Sequence, residues 1–256
     1  GPAAVDVQFS EAITALSAQN TANYSITDIA SITSATLDGT DPSLVHLTLG
    51  SALPSNTDLT LTANNIVDLF DNTMSSDNIV FQYFVAANAE YRDVVFNEIL
   101  ADPDPAVGLP AYEFIELYNP TSEVFNLEGW EFVNSTTVKI LPSYNLAPGS
   151  FVILCDAANA AFFENAIGIT SFTALTNAGD SLTLNNDAGT LIDYVAYSDD
   201  WFDTPEKLDG GWTLELINPL LYCQSSANWM ESQNPDGGTP NAINSVYSTT
   251  PDTQAP

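Results

Sequence analysis

Ser43-Leu44-Val45-His46-Leu47-Thr48-Leu49 alternates without a break. In an extended chain Leu44, His46 and Thr48 fall on one side and Val45, Leu47 and Leu49 on the other. A strand of this kind buries one face and wets the other. Working outward, the same signal recurs at Val5–Phe9, Asp58–Thr62 and Asn78–Tyr83, with turn clusters at Leu37–Pro42 and Asp68–Asn72 between. Strands repeating every ~8–12 residues indicate a sandwich or barrel rather than helices. Around Ala86–Glu90 the pattern lapses into small residues, and a new strand opens at Val94–Ile99. Further strands read at Glu113–Tyr118, Trp130–Val133, Phe151–Leu154, Ser181–Leu184 and Leu191–Tyr197. The one departure is Asp156–Ile167, whose Ala157, Ala158, Ala160, Ala161, Phe162, Phe163 and Ala166 predict a short helix.

Charge bounds the partners. The 256 residues carry 33 Asp and Glu against 3 Lys and Arg, a formal net charge of −30. The bases are Arg92, Lys139 and Lys207. Nucleic acid is excluded, because its affinity comes from neutralising phosphates with Lys and Arg. An anionic membrane surface would repel the chain, and no apolar run approaches the ~18 residues of a membrane-spanning helix. Cations are attracted, above all Ca²⁺, whose ligands are oxygens. At 45% hydrophobic and 11% aromatic the chain is too apolar for disorder.

Several groups are candidates for chemistry. Glu98, Asp102, Asp104, Glu113 and Glu116 form the first candidate Ca²⁺ site. In Asp102-Pro103-Asp104-Pro105 each proline fixes its own φ and restricts the residue before it. Glu113 and Glu116, three apart, point to opposite faces, so at most one joins the site. Against a metal stands solvation, or hydrogen bonding of the glutamates to backbone amides. Asp68, Asp71 and Asn72 form a second candidate Ca²⁺ site, although such residues also bond their own backbone in ordinary turns. Asp199 and Asp200, beside Asp203 with Glu206 following, form a like-charge loop that an ion would relieve, although solvation suffices at the surface; in the same loop Trp201 and Phe202, flanked by Asp199 and Asp200, suit a sugar ring, unless Trp201 joins Trp130, Trp212 and Trp229 in the core.

Catalysis finds little support. His46 is the sole histidine and reads as an exposed strand residue rather than a base. No Gly-x-Ser-x-Gly elbow occurs. Carboxylate pairs at about 5 or about 6.5–9.5 Å could serve glycoside hydrolysis, but among so many acids such pairs arise by chance. Cys155 and Cys223 read as two buried thiols or as one disulfide, and the acidic, lysine-poor surface of a secreted protein favours the bond. It would close a loop of about 70 residues, worth roughly 4 kcal/mol.

Residues 1–88 resemble a bacterial immunoglobulin-like domain of the surface-array type. The resemblance rests on Val5, Val7 and Phe9-Ser10-Glu11-Ala12, on Asn23-Tyr24-Ser25-Ile26, on Val45, Leu47 and Leu49, and on Leu59, Leu61, Asn65-Ile66, Asp68 and Asp71-Asn72. Residues 91–247 resemble a lamin-tail domain of the form found in secreted proteins of Bacteroidetes. The motifs are Val95–Pro105, Glu113–Pro120, Leu127 with Gly129-Trp130, Leu146–Gly149, Asn177–Leu184, Asp193 with Tyr197, Gly210–Glu215 and Gly237–Val246. Together they imply an all-β chain of two immunoglobulin-like β-sandwich domains in tandem; composition adds the one short helix in the second and a polar, proline-punctuated linker over 248–256. The resemblance also favours the Cys155–Cys223 disulfide.

Gly1-Pro2 looks like a protease scar, and Asp252–Pro256 resembles the opening of another module, so the chain reads as a piece of a tandem array. The first domain opens at its Val-x-Val-x-Phe strand, without the strand that the resemblance implies before it, which leaves a sheet edge open to association. The function expected is a non-catalytic structural or adhesin module of a secreted or surface protein, stabilised by Ca²⁺. Its partners would be neighbouring modules of the same chain. The alternatives are an accessory module binding glycan or a surface protein, and a fragment of an enzyme whose catalytic domain lies elsewhere.

Overall fold

The computed structural model describes residues 2–29, 31–55, 57–222 and 226–249. The chain divides into two compact units, Gly1–Val85 and Ala86–Pro256. The expected linker falls largely outside the described residues, from Thr250 onward.

Unit 1 contains β1 (Ala4–Gln8), β2 (Tyr24–Ile26), β3 (Ile32–Leu37), β4 (Leu44–Leu49), β5 (Asp58–Val67) and β6 (Thr73–Gln82), with a single helical turn, α1 (Ala15–Ala18). One sheet runs β1-β4-β3 and the other β2-β5-β6. The alternation of β4 works as its sequence requires: Val45, Leu47 and Leu49 are buried and meet Tyr24, Ile26, Leu59 and Leu61 of the facing sheet. His46, on the outer face, is only half exposed. Its Nδ1 lies 2.7 Å from Asp6 and its Nε2 3.1 Å from Asp38. These bonds, to Asp6 first, raise its pKa.

Unit 2 contains β7 (Val95–Leu100), β8 (Phe114–Tyr118), β9 (Phe125–Asn126), β10 (Glu131–Asn134), β11 (Thr137–Ile140), β12 (Asn145–Leu146), β13 (Phe151–Asp156), β14 (Ala166–Ile169), β15 (Gly179–Asn185), β16 (Leu191–Ser198), β17 (Leu214–Leu216) and β18 (Trp229–Glu231). A six-stranded sheet, β14-β13-β8-β7-β17-β18, packs on a four-stranded one, β11-β10-β15-β16. Ile99, Ile115, Leu117, Val152, Leu154, Leu214 and Leu216 line the inner face and meet Phe132, Leu182, Leu184 and Val195. The fold is therefore all-β, with sandwiches in both units.

The expected helix over Asp156–Ile167 does not form. Asp156 Oδ1 accepts the Ala158 N–H at 2.9 Å, which bends the chain into a turn. A single 3-10 turn follows at Ala160–Phe162, and Asn165 adopts a left-handed φ of 45°. Ile167 and Ile169 then bury at a two-residue period as β14, parallel to β13. Alanine propensity is a weak prior that sheet pairing overrides. The short helix of unit 2 lies elsewhere, as α2 (Pro205–Leu208).

Every residue of β7 is buried, which means that the six-stranded sheet is covered on both faces. The second face carries a small apolar cluster of Leu100, Phe114, Ile153 and Cys155, covered by Leu109, Ala160, Phe163 and Ala166. Cys155 is a buried free thiol, pushed up to about 11 by burial. Cys223, its expected disulfide partner, lies outside the described residues.

Candidate functional site

The remainder of that second face is a row of glutamates. Glu116 on β8 is paired in register with Glu98 on β7, and Glu98 with Glu215 on β17. Directly opposed residues project to the same side of a sheet. The register thus sets three carboxyl groups side by side, all fully buried.

The row is roofed by the segment around Gly237–Val246, which the carboxylates hold in place. Glu98 Oε1 accepts from the Thr213 hydroxyl and the Thr239 N–H, both at 2.7 Å. Glu116 Oε1 accepts from Asn97 Nδ2 at 2.8 Å, and its Oε2 accepts from the Asn241 N–H at 2.5 Å. Glu215 accepts from Thr239 Oγ1 at 3.0 Å, Ser245 Oγ at 2.7 Å and the Val246 N–H at 3.2 Å. Asn244 completes the roof, donating to the carbonyls of Asn97 and Leu216. Gly238 lies so close that a Cβ there would stand 2.5 Å from Glu98 Oε1.

One atom stands apart: Glu98 Oε2 is buried and without a hydrogen-bond partner. Burial pushes Glu116 up to about 8. Burial first, and the Glu116 charge second, push Glu98 well above the ordinary carboxylate range. Like-charged neighbours in a poorly solvated site favour the protonated form.

The first expected Ca²⁺ site is therefore divided. Glu98 and Glu116 lie in the buried row. Asp102 and Glu113 lie elsewhere: Glu113 Oε2 accepts the Leu175 N–H at 2.8 Å, and burial with the nearby Asp102 charge raises its pKa. Asp104 is exposed. Asp102 lines a cavity of about 60 Å³ with Asp199, Phe202, Lys207 and Trp212. Among the described residues no group of three or more His, Cys, Asp or Glu is arranged to hold a metal ion.

At the second expected Ca²⁺ site Asp68 is buried, and both its oxygens are bonded within the turn. Oδ1 accepts from the Phe70 and Asn72 N–H groups at 2.7 and 2.9 Å, and Oδ2 from Asn72 Nδ2 at 2.7 Å. These bonds, the Asn72 side chain first, lower its pKa. Asp71 is exposed at a left-handed φ of 65°.

In the acidic aromatic loop Asp199–Trp201 form a 3-10 turn capped by the Ser198 hydroxyl. Trp201 is half-buried, its ring centroid 6.1 Å from that of Trp229, and Phe202 packs on the same core. Asp200 is exposed. Glu231, which the sequence did not single out, anchors the following turn. Its Oε2 accepts from the Asp203 and Thr204 N–H groups, both at 3.0 Å, and its Oε1 pairs with Lys207 at 3.2 Å. Sequence reasoning also missed Glu215. Its signal was present: Leu214-Glu215-Leu216 repeats the apolar-Glu-apolar pattern of Ile115-Glu116-Leu117.

Residues 87–199 match the family model of the lamin tail domain. Glu98 and Glu116 fall inside the segment similar to the lamin tail domain, while Glu215 and the roof that it holds lie beyond it. Among solved structures, the N-terminal part of the bacterial S-layer protein SbsC is 15% identical, with a TM-score of 0.32. That similarity covers 77% of this chain and 41% of SbsC's, so the chain spans less than half of that relative. A DUF4876 family protein from Bacteroides thetaiotaomicron is 14% identical with a TM-score of 0.34, over 84% of this chain and 87% of the other. No curated protein matches the chain.

Proposed function

We propose that this chain is a non-catalytic structural module of a larger extracellular or surface-exposed protein, an acidic spacer that presents or separates neighbouring modules. What supports this reading is the use made of Glu98, Glu116 and Glu215. These three buried carboxyl groups bond the roof around Gly237–Val246 to the sheet, so they serve cohesion. No helix among the described residues is long and apolar enough to cross a membrane. The formal net charge, −30 over 256 residues, suits an element of salty surroundings.

The test sets binding against stability at Trp201. Trp201 packs on Trp229, so Trp201→Ala is expected to cost unit 2 about 2 kcal/mol, within the usual span for a partly buried truncation. The unsubstituted protein is expected to pass an affinity gel of immobilised glycans without retention. Retention that Trp201→Ala abolishes, with the melting curve unmoved, would replace the spacer reading with that of an accessory glycan-binding module.

Stabilisation by Ca²⁺ belongs to the same proposal and rests on the net charge. Metal-stripped protein is expected to melt higher once Ca²⁺ is added, because a ligand of the native state stabilises by about 2.7 kcal/mol at a hundredfold excess over Kd. Superimposable melting curves with Ca²⁺ and with chelator would remove calcium from the proposal.

A further inference from the structure

The glutamates of the second face belong to one register row, Ile153–Glu116–Glu98–Glu215–Met230, that crosses β13, β8, β7, β17 and β18. Carboxyl groups fill its three central places, and among the described residues no base is turned to them. Arg92 is paired with Asp193 and Lys207 with Glu231, while Lys139 lies on β11 of the other sheet. The roof over the row, Gly237 to Val246, contains no titratable side chain. Asp236, just before it, and Glu164, whose carbonyl accepts Asn241 Nδ2, are both exposed. Glu113 is turned to the Leu175 N–H. The phenols nearby are Tyr118, two residues along β8 from Glu116 and raised by burial, and Tyr247.

Polar bonds, not packing, attach the roof. Ile243 is 64% exposed, Ala242 is exposed as well, and none of the roof's apolar side chains is buried. Thr239, Asn241, Ser245 and Val246 all donate to the row. The sandwich core lies on the opposite face of the same sheet. Lifting the roof therefore exposes little apolar surface and leaves the packing between the sheets intact. An ionised row, by contrast, has no means of being satisfied beneath the roof. Glu98 Oε2 is enclosed and meets no donor, and adjacent charges repel where water is excluded. Water reaches that oxygen once the roof leaves.

We propose that Gly237–Val246 is a latch that opens at alkaline pH: as Glu98 and Glu116 ionise beside Glu215, the segment lifts from the sheet while the sandwich stays folded. Segments held by few apolar contacts are the ones that open locally. The sign follows from burial, which raises Glu116 to about 8 and Glu98 well above 4.5. Protons held by the closed form are given up as pH rises through about 8, so closure weakens there. Carboxyl groups of ordinary pKa are already ionised at about pH 6 and change no charge over this range.

Hydrogen exchange of the full chain from about pH 6 to about pH 9 tests the latch. The amides of Thr239, Asn241 and Val246 donate directly to the row. Each rate is divided by that of an unstructured chain at the same pH, which removes base catalysis. Protection at these amides is expected to fall at least about tenfold above pH 7, since each proton released changes the equilibrium about tenfold per pH unit. Amides of β10 and β15 are expected to keep their protection. The infrared carbonyl band of a protonated carboxyl group is expected at the low end of the range and should fade as the roof opens. Glu98→Gln is expected to flatten the fall. Glu215→Gln, which removes the charge beside Glu98 and keeps an oxygen for Val246, serves in its place if Glu98→Gln does not fold. Constant roof protection, loss of protection in β10 and β15 at the same pH, or a fall as steep in every substituted chain that folds would each overturn the proposal.

Discussion

Arg92→Ala is expected to destabilise unit 2 by about 3–5 kcal/mol, the usual cost of leaving one member of a buried ion pair alone. Arg92 Nη1 meets Asp193 Oδ1 at 2.9 Å, with side chains only 4% and 0% exposed. Nη2 donates to the Pro219 carbonyl at 3.1 Å, and the Arg92 N–H to the Ile192 carbonyl at 2.8 Å. The second Asp193 oxygen accepts the Phe96 N–H at 2.8 Å. One guanidinium thus ties the chain entering β7 to β16 and to the segment after β17. Removing it takes the guanidinium charge away from a wholly buried carboxylate. Denaturant unfolding of unit 2 measures the loss, and a change below about 1 kcal/mol would show that Asp193 is adequately solvated without Arg92.

Glu98→Gln is expected to act in the opposite direction, and only at higher pH. Glu116 is raised to about 8, and Glu98 well above its ordinary value of 4.5. In the window above 4.5 the folded unit holds protons that the unfolded chain releases. The associated stability is complete below about 4.5 and drains away as pH rises through about 8, at about 1.4 kcal/mol per pH unit for each proton. Glutamine at position 98 keeps one oxygen for Thr213 and Thr239 and puts an uncharged amide where Oε2 has no partner. Its melting temperature should match that of the unsubstituted protein near pH 5, exceed it near pH 8, and fall less steeply between. A pH slope equal to that of the unsubstituted protein would show that Glu98 does not hold a proton there. Glu116→Gln makes the contrast: both Glu116 oxygens accept from N–H donors, so an amide there sets donor against donor and destabilises at every pH.

These two predictions concern residues of different legibility. Arg92 is conspicuous as one of 3 bases, yet nothing around it announces a buried partner 101 positions later. Glu98 and Glu116 stood out because their strands flank the Asp102–Pro105 loop, which pointed to a metal site shared with Asp102, Asp104 and Glu113. The Asp102–Pro105 loop does not turn towards the glutamates: Asp104 is exposed, and Asp102 lines a cavity with Asp199, Phe202, Lys207 and Trp212. In the Ala-rich segment after β13, composition argued for helix and the two-residue burial of Ile167 and Ile169 prevailed.

What this sequence determined by itself is local. Period-two alternation in β4 and β5 selected the strands and the side chains that face inward, since successive residues of an extended chain must project to opposite sides. The count of 33 acids to 3 bases restricted the partners. Tertiary structure alone decided which strands lie beside one another, and so which acids meet. Glu116 and Glu215 share an apolar-Glu-apolar pattern that marks each as a strand residue, but nothing local sets either beside Glu98. Strand register sets them in one row, and the roof around Gly237–Val246 removes them from water. Alternation assigns a side chain to a face; only the pairing of distant strands assigns its neighbours, and the neighbours set its charge.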